Sequence, residues 1–308
     1  MSNLRTANIE AKDARIKVRW IEFTIVRSLM ICALISVVTT LAIVVILAKE
    51  SSGFFQEVSI YSFLAGLEWN PLIEPRQFGV IPLVLGTLLV SVGACIIAIP
   101  IGLGTAIYLS EYASQKTRQW LKPTIELLAG VPSVVFGYFA VTSITPLLQS
   151  VFPSTEIFNA ASAAIVLSFM VLPTITSLSD DALSAVPRSL REGGYALAAT
   201  KREVSLGILL PAATSGILAA CILGFSRAIG ETMAVALAAG STPNLSLNPL
   251  QSAQTMTGYI VQVSMGDTPH GSVEYQSIFA VAALLFLMTF SLNVFSQSIL
   301  KRLQKSYD

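Results

Sequence analysis

The stretch REGGYALAATKREVSLGILLP, residues 191–211, decides how this chain is interpreted. It closes a polar island, residues 180–203, that lies between two apolar runs and carries charges of both signs. A membrane-bound chain with a charged, helix-forming loop at this point offers a binding surface to a soluble partner. The alternative is a solvated loop that only connects two helices.

The island predicts a short helix. Pro187 suits a first helical turn, and Ser189 with Glu192 has the Ser-x-x-Glu spacing of a capping box. Gly193 and Gly194 would each weaken the helix interior by about 1 kcal/mol relative to alanine, so contacts with a partner are expected to hold it. Ala198 adopts the left-handed conformation less readily than glycine, which argues against a regular turn after the helix.

The composition predicts an integral membrane protein. Of 308 residues, 54% are hydrophobic and only 12% are charged, whereas soluble domains are about 25% charged. The net charge of +1 gives no argument for binding nucleic acid. Three cysteines in apolar runs share no metal-type spacing, and the single histidine, His270, lies among polar loop residues, so neither a metal nor a cofactor is expected.

Six charge-free apolar runs are long enough to cross a hydrocarbon core, which takes about 20 residues of helix. They are residues 28–48, 77–110, 127–155, 157–179, 204–226 and 275–300. The first run is too long for a signal peptide and is interpreted as a retained membrane helix. Pro100 is a candidate kink in the second run, and Pro132 and Pro146 predict that the third is bent or interrupted.

The basic residues predict the orientation. With the N-terminus in the cytoplasm, all lysines and arginines except Lys49, Arg76 and Arg227 fall on the cytoplasmic side, which is a strong positive-inside bias. Both termini and the island at 180–203 are then cytoplasmic, where an ATPase would be. Residues 1–27 are predicted to form a cytoplasmic tail and residues 28–308 one membrane domain.

Two charged residues are predicted at membrane depth. Arg227 lies about 16 residues, or about 24 Å of helix, beyond Pro211. Glu231 follows four residues later, so on a continuous helix the two share a face and can pair. Such residues are costly in a bilayer and are candidates for a functional site. Both a structural ion pair and an anion step in a pathway, with Glu231 orienting Arg227, remain open.

Three further features have alternative interpretations. Glu126 precedes the third run and either borders a pathway gate or merely ends a helix at the interface, which is favoured. Gly102 and Gly104 favour close helix packing over nucleotide binding, since the third glycine of a dinucleotide motif is missing. Residues 256–265 are apolar enough to lie on a membrane or a partner, or equally to pack on the protein itself.

The island resembles the EAA loop of binding-protein-dependent ABC importers, whose pattern is Glu-Ala-Ala, three residues, Gly, nine residues, Ile-x-Leu-Pro. Here Glu192, Gly193, Gly194, Ala198 and the sequence ILLP ending at Pro211 take these places, with two glycines for alanines and one alanine for glycine. The segments FLAGLEWNP (63–71), IPLVLGTLLVS (81–91), IPIGLGTAIYLSEYA (99–113), ELLAGVPSVVFGYF (126–139) and RAIGETMAV (227–235) are similar to PstC-type permeases of phosphate-specific ABC importers. This resemblance covers residues 63–300.

The resemblance implies an all-α integral membrane protein of the bacterial inner membrane, with six transmembrane helices, a type I ABC importer permease fold and cytoplasmic termini. It implies that Arg227 and Glu231 lie on a pathway for inorganic phosphate, and that the island is a coupling helix that docks in a groove of an ATPase. The residues expected at this docking site are Ser189, Arg191, Glu192, Gly193, Gly194, Tyr195, Ala196, Ala198 and Thr200. The implied partners are a PstA-like sister permease, two copies of a PstB-like ATPase, a PstS-like extracytoplasmic phosphate-binding protein and membrane lipid.

The chain itself is predicted not to be an enzyme. The sequence has no GxxxxGK[ST] phosphate loop, and its single histidine cannot complete a nucleophile, base and orienting group. Three rivals to the phosphate permease remain: an importer of sulfate or molybdate, a stand-alone ion-coupled carrier, and a non-transporting scaffold or sensor. The carrier predicts inverted repeats and several midplane carboxylates, neither of which is evident.

Overall fold

The computed structural model describes the backbone of residues 2–304 and the side chains of residues 22–298. Eight of the basic residues that carry the orientation argument lie outside the described side chains: Arg5, Lys12, Arg15, Lys17, Arg19, Lys301, Arg302 and Lys305. The described chain is helical almost throughout. Its single sheet is a short antiparallel pair in which Trp69 lies opposite Phe78.

The elements before the island are mostly long helices. They are α1 (Ser2–Glu57), α2 (Ile60–Ala65), β1 (Trp69–Asn70), β2 (Gln77–Phe78), α3 (Ile81–Ile107), α4 (Gln115–Leu128), α5 (Ser133–Phe139), α6 (Thr145–Val151) and α7 (Ala160–Ser184). Two π-helical turns, Tyr108–Tyr112 after α3 and Ala140–Ile144 between α5 and α6, keep these helices continuous.

The elements from the island onwards are shorter until the last helix. They are α8 (Arg188–Ala196), α9 (Lys201–Val204), α10 (Leu210–Ala212), α11 (Thr214–Ile229), α12 (Met233–Ala238), α13 (Met256–Ser264) and α14 (Val273–Gln304). A π-helical turn, Ser205–Leu209, joins α9 to α10.

Five of the six predicted spans are confirmed within the described residues, and the sixth corresponds to a bent helix pair if that pair is counted as one span. Five helical stretches are long and apolar enough to cross a membrane, and the sixth is a bent pair, Lys201–Ala212 and Thr214–Ile229, whose axes differ by 72°. The bend falls at Ala213, two residues after Pro211. Proline cannot donate a backbone hydrogen bond and commonly marks such breaks.

The third span begins later than predicted. Leu127 and Leu128 belong to α4, and the chain turns before α5 begins behind Pro132. The expected interruption is absent, because the helical stretch Ser133–Val151 continues through the π-helical turn that precedes Pro146, and Pro132 lies before its start. Apolarity alone placed the two leucines in the span, although they end an amphipathic helix whose opposite face is charged.

Helix α7 lies at the centre of the bundle, between α3 and α11. Its Ile175 is fully buried between two glycines. A Cβ atom would lie 2.9 Å from Ile175 at Gly102 of α3, and 2.7 Å from it at Gly224 of α11. A Cβ at Gly104 would meet nothing within 4 Å. The packing interpretation of Gly102 is therefore confirmed, whereas Gly104 faces open space.

The segments at the other end of the bundle from α8 form an aromatic cluster. Trp69 and Tyr259 contact edge to face, with ring centroids 4.8 Å apart, and Phe54 packs in the same way on Phe63 and Phe78. Helix α13 contributes Tyr259 and is mostly buried. Of the alternatives for residues 256–265, packing on the protein itself is the one observed.

Candidate functional site

Helix α8 is the exposed helix that the island predicted. It leaves large apolar side chains uncovered, and Leu197 at its end is 86% exposed. Ser189, Glu192, Tyr195 and Ala196 are exposed as well. Within the part of the chain that the structure describes, no element covers this face of α8, so it is available to a partner.

The start of α8 differs from the prediction. Its N-cap is Pro187, which makes no side-chain capping bond, and Ser189 is already the second residue of the helix. Proline fixes φ near the helical value and suits the start of a helix, so the predicted box at Ser189 is wrong. The capping box lies at Thr200 and Glu203, where the Thr200 N–H donates to Glu203 over 2.8 Å and the Glu203 N–H donates to Thr200 over 3.3 Å.

The turn after α8 is regular, contrary to the prediction. Ala198 has φ of 60°, in the left-handed region. The Ala199 N–H donates to the Gly194 carbonyl over 3.2 Å, and the Ala198 N–H to that of Tyr195 over 2.9 Å. These are the two bonds of a Schellman motif, formed with alanine where glycine is usual.

The two glycines of the island have different surroundings. Gly194 is buried, and a Cβ there would lie 2.7 Å from Ile208 and 3.0 Å from Val204. A Cβ at Gly193 would meet nothing within 4 Å. Gly194 therefore lets α8 approach the segment 201–210, while Gly193 faces outward with the exposed residues.

Arg191 points into the protein. Its guanidinium lies 3.2 Å from the Glu111 carboxylate and donates to the Leu183 carbonyl over 2.7 Å. Glu111 is only 6% exposed and also accepts a hydrogen bond from Ser110. Arg191 thus fastens α8 to the π-helical turn after α3 and to the end of α7.

The first residue of the predicted island is also buried. Asp180 lies in α7 with 0% exposure and binds Arg118 and Lys122 of α4, each over 2.9 Å. Lys122 also contacts the exposed Asp181 over 3.0 Å. Burial disfavours the Lys122 charge, but hydrogen bonds to Asp180 and Asp181 outweigh it and raise the pKa of its ammonium. The polar loop therefore begins after Ser184.

Arg227 and Glu231 do not form the expected ion pair. Helix α11 ends at Ile229, so Glu231 lies beyond it in the link to α12 and the two do not share a helical face. Arg227 is exposed and its Nη1 donates to the Thr174 hydroxyl of α7 over 2.9 Å. The Glu231 carbonyl accepts a hydrogen bond from Thr257 of α13 over 2.8 Å. Among the described side chains, Arg227 makes no ion pair.

Glu126 contacts α7 as Arg227 does, three residues further along that helix. It is an exposed residue of the last turn of α4, so it lies at the end of a helix as the favoured interpretation predicted, although that helix is α4 and not the third span. Its Oε1 accepts a hydrogen bond from the Ser177 hydroxyl of α7 over 3.1 Å. Thr174 and Ser177 were missed by the sequence analysis because nothing local distinguishes them, and their partners lie 53 and 51 residues away.

Comparison with known proteins identifies relatives over most of the chain. Residues 98–307 match the family described as binding-protein-dependent transport system inner membrane component. The probable ABC transporter permease protein YqgH of Bacillus subtilis is 38% identical, covering 84% of this chain and 84% of that protein. The phosphate transport system permease protein PstC is 31% identical in Mesorhizobium japonicum, over 82% of both chains, and 29% identical in Haemophilus influenzae, over 93% and 95%.

A solved structure has the same fold. The inward-facing MetNI methionine ABC transporter contains a chain that superposes with a TM-score of 0.55, covering 73% of this chain and 94% of that one. Sequence identity is 16%, so this similarity concerns the fold alone.

Proposed function

The chain belongs to the binding-protein-dependent transport system inner membrane components, and from this membership we propose that it forms half of a translocation pathway for inorganic phosphate. Members of this family are multi-pass permease subunits of ABC importers and work with an ATPase and a substrate-binding protein. The all-α bundle described above is the type I ABC importer permease fold.

Arg227 carries the proposal for an anionic substrate. It is exposed at the end of α11, and its described contact is a neutral hydroxyl, that of Thr174. A guanidinium has five N–H donors in a planar fork, which suits a tetrahedral oxyanion better than an ammonium does. The relatives named as phosphate permeases favour phosphate among such anions. Glu231 is proposed as a second pathway residue, although it acts without pairing with Arg227.

The exposed face of α8 is proposed as the ATPase docking site. Ser189, Glu192, Gly193 and Tyr195 lie on the uncovered part of this helix. Arg191, Gly194 and Thr200 belong to the same site as supports, since they hold the helix in place rather than face a partner. The coupling segment is residues 185–203, because residues 180–184 belong to α7. It lies within a permease domain of residues 28–308 and beyond a tail of residues 1–27.

The proposed partners rest on the family and on the relatives named as phosphate permeases. We propose a PstA-like sister permease, two copies of a PstB-like ATPase and a PstS-like phosphate-binding protein on the outer side, with both termini of this chain in the cytoplasm. ATP hydrolysis takes place in the ATPase subunits. Their closure displaces α8, and the ion pair of Arg191 with Glu111 transmits this displacement to α3.

Substrate identity is tested by transport. The complete complex is reconstituted in proteoliposomes, and ATP-dependent uptake of labelled phosphate is measured with excess sulfate, molybdate or unlabelled phosphate. We expect that only unlabelled phosphate abolishes uptake of the label. Inhibition by sulfate or molybdate at the same concentration would assign the permease to another oxyanion.

Docking is tested by assembly. The charge reversal Glu192→Arg is expected to abolish co-purification of the ATPase, because Glu192 is exposed on the α8 face. Asp267→Arg, at an exposed position after α13, is the matched control and should leave co-purification intact. If Glu192→Arg retains the ATPase, α8 is not the docking site.

A further inference from the structure

Three charged residues follow one another along the face of α4 that contacts α7. Arg118, Lys122 and Glu126 are four residues apart, a spacing that keeps side chains on one helical face. Helix α7 gives them different partners. Arg118 and Lys122 bind the Asp180 carboxylate. Among the described residues, Glu126 accepts a hydrogen bond only from the Ser177 hydroxyl. Two of these contacts between α4 and α7 are therefore ion pairs, and the third is not.

A second charged side chain, Arg227, also contacts α7 through a hydroxyl and not through an ion pair. Three residues before Ser177, Thr174 accepts a hydrogen bond from Arg227 of α11 over 2.9 Å. Three residues of helix rise about 4.5 Å, so Thr174 and Ser177 lie on successive turns of α7. A guanidinium from α11 and a carboxylate from α4 thus approach neighbouring positions on one helix. Each is held by a neutral hydroxyl.

The position of Glu126 is not explained by the stability of α4. A carboxylate in the last turn of a helix faces the negative end of the helix dipole, which disfavours it. Its cationic neighbour Lys122, one turn earlier, is already bound to two aspartates. Glu126 and Arg227 are both exposed in the isolated subunit.

We infer that Glu126 and Arg227 form an ionic gate in the substrate pathway. This inference rests on the proposed function as a phosphate permease. With no substrate bound, the carboxylate and the guanidinium pair and close the path between α4 and α11. An entering phosphate competes for the same N–H donors, and the displaced carboxylate returns to the Ser177 hydroxyl. In the structure Arg227 is bonded to the Thr174 hydroxyl and Glu126 to the Ser177 hydroxyl, which is the arrangement that the inference assigns to the open path.

Glu231 is not the gating carboxylate. It lies beyond the end of α11, and its backbone is bonded on both sides, through its N–H to the Ala228 carbonyl and through its carbonyl to Thr257. Glu126 is instead carried by a different helix, so movement of α4 relative to α11 changes its separation from Arg227. A gate requires charges on elements that can move apart.

Two substitutions test the gate with opposite signs. In proteoliposomes containing the complete complex without ATP, Glu126→Gln is expected to raise passive phosphate leak at least about tenfold, the ratio that corresponds to ~1.4 kcal/mol of lost pairing energy. Ser177→Ala removes the partner of the open arrangement and is expected to slow ATP-driven uptake several-fold without any leak. If the contact between Glu126 and Ser177 had only a structural role, the two substitutions would change phosphate leak and phosphate uptake in the same direction.

Asp181→Asn is the matched control, since Asp181 is an exposed carboxylate of α7 that also contacts the neighbouring helix, through Lys122 of α4. It should leave the leak unchanged. An assembled Glu126→Gln complex with wild-type leak would overturn the gate, while phosphate uptake by the wild type would still support the proposed function. If Glu126→Gln fails to assemble, Ser177→Ala decides, because wild-type uptake in that variant contradicts the inference. Failure of the wild type to take up phosphate would instead contradict the proposed function.

Discussion

Charges near α8 and charges near the end of α11 are stabilised in opposite ways. Asp180 and Glu111 are almost completely buried, and each is bound to a cation of another element. Arg227 is exposed, and the contact it makes is with a hydroxyl. A buried carboxylate without its cation would be strongly destabilising, whereas an exposed guanidinium bound to a hydroxyl can exchange that partner at little cost. The comparison separates charges that fix the structure from charges that remain available to a ligand.

The largest expected effect is at Asp180. Asp180→Asn removes the only described carboxylate that contacts both Arg118 and Lys122, and it should lower the free energy of unfolding by about 2–4 kcal/mol. Asp181→Asn, at a side chain that is 64% exposed, should cost less than about 1 kcal/mol. Denaturation of the purified subunit in detergent measures both. Equal losses would show that burial does not distinguish the two aspartates.

The second effect concerns the support of α8. Glu111→Gln leaves the Arg191 guanidinium with a neutral partner and should lower the free energy of unfolding by about 1–2 kcal/mol. It should also raise the ATP consumed per phosphate transported, because α8 is then held less firmly against α3. Glu192→Gln, on the exposed face of the same helix, should leave stability unchanged while weakening ATPase binding. If Glu192→Gln lowers the free energy of unfolding as much as Glu111→Gln does, the division of α8 into a supported face and a docking face is wrong.

The third effect is at Arg227, where we expect a large loss of transport with little loss of stability. Arg227→Gln should change the free energy of unfolding by less than about 0.5 kcal/mol, since the side chain is exposed. Phosphate uptake by the reconstituted complex should nevertheless fall at least about tenfold, equivalent to ~1.4 kcal/mol of lost anion stabilisation. Arg27→Gln, at an exposed arginine of α1, is the control and should transport normally. Unchanged uptake with Arg227→Gln would remove this arginine from the mechanism.

The sequence was sufficient for the features that depend on a single segment. Six spans follow from the length of apolar runs, and α8 follows from a polar stretch that contains Pro187. Two details were also available locally but were misassigned. Gly230 is a regular signal for the end of a helix, which breaks the face shared by Arg227 and Glu231. The Thr-x-x-Glu spacing at Thr200 matched a capping box as well as the one chosen at Ser189.

The contacts that distinguish the two regions could not be predicted from one sequence. Arg118 and Asp180 are 62 residues apart, and the pair depends on how α4 folds back against α7. The contact between Arg227 and Thr174 likewise depends on the packing of α11 on α7. Polar residues of one helix look alike in the sequence, so whether Asp180 or Asp181 is buried becomes clear only from the three-dimensional arrangement.

The smallest effect tests whether α8 is ordered by the subunit itself. Ala198 occupies a left-handed position, where glycine avoids a steric cost of about 1 kcal/mol, although glycine also gains entropy in the unfolded chain. Ala198→Gly should therefore raise the free energy of unfolding by up to about 1 kcal/mol. Ala196→Gly, within the helix, should lower it by about the same amount. If Ala198→Gly is destabilising in the isolated subunit, the Schellman turn does not form there. In that case the exposed face of α8 becomes ordered only when the ATPase binds, and the internal contacts of Arg191 and Gly194 are not sufficient to hold it.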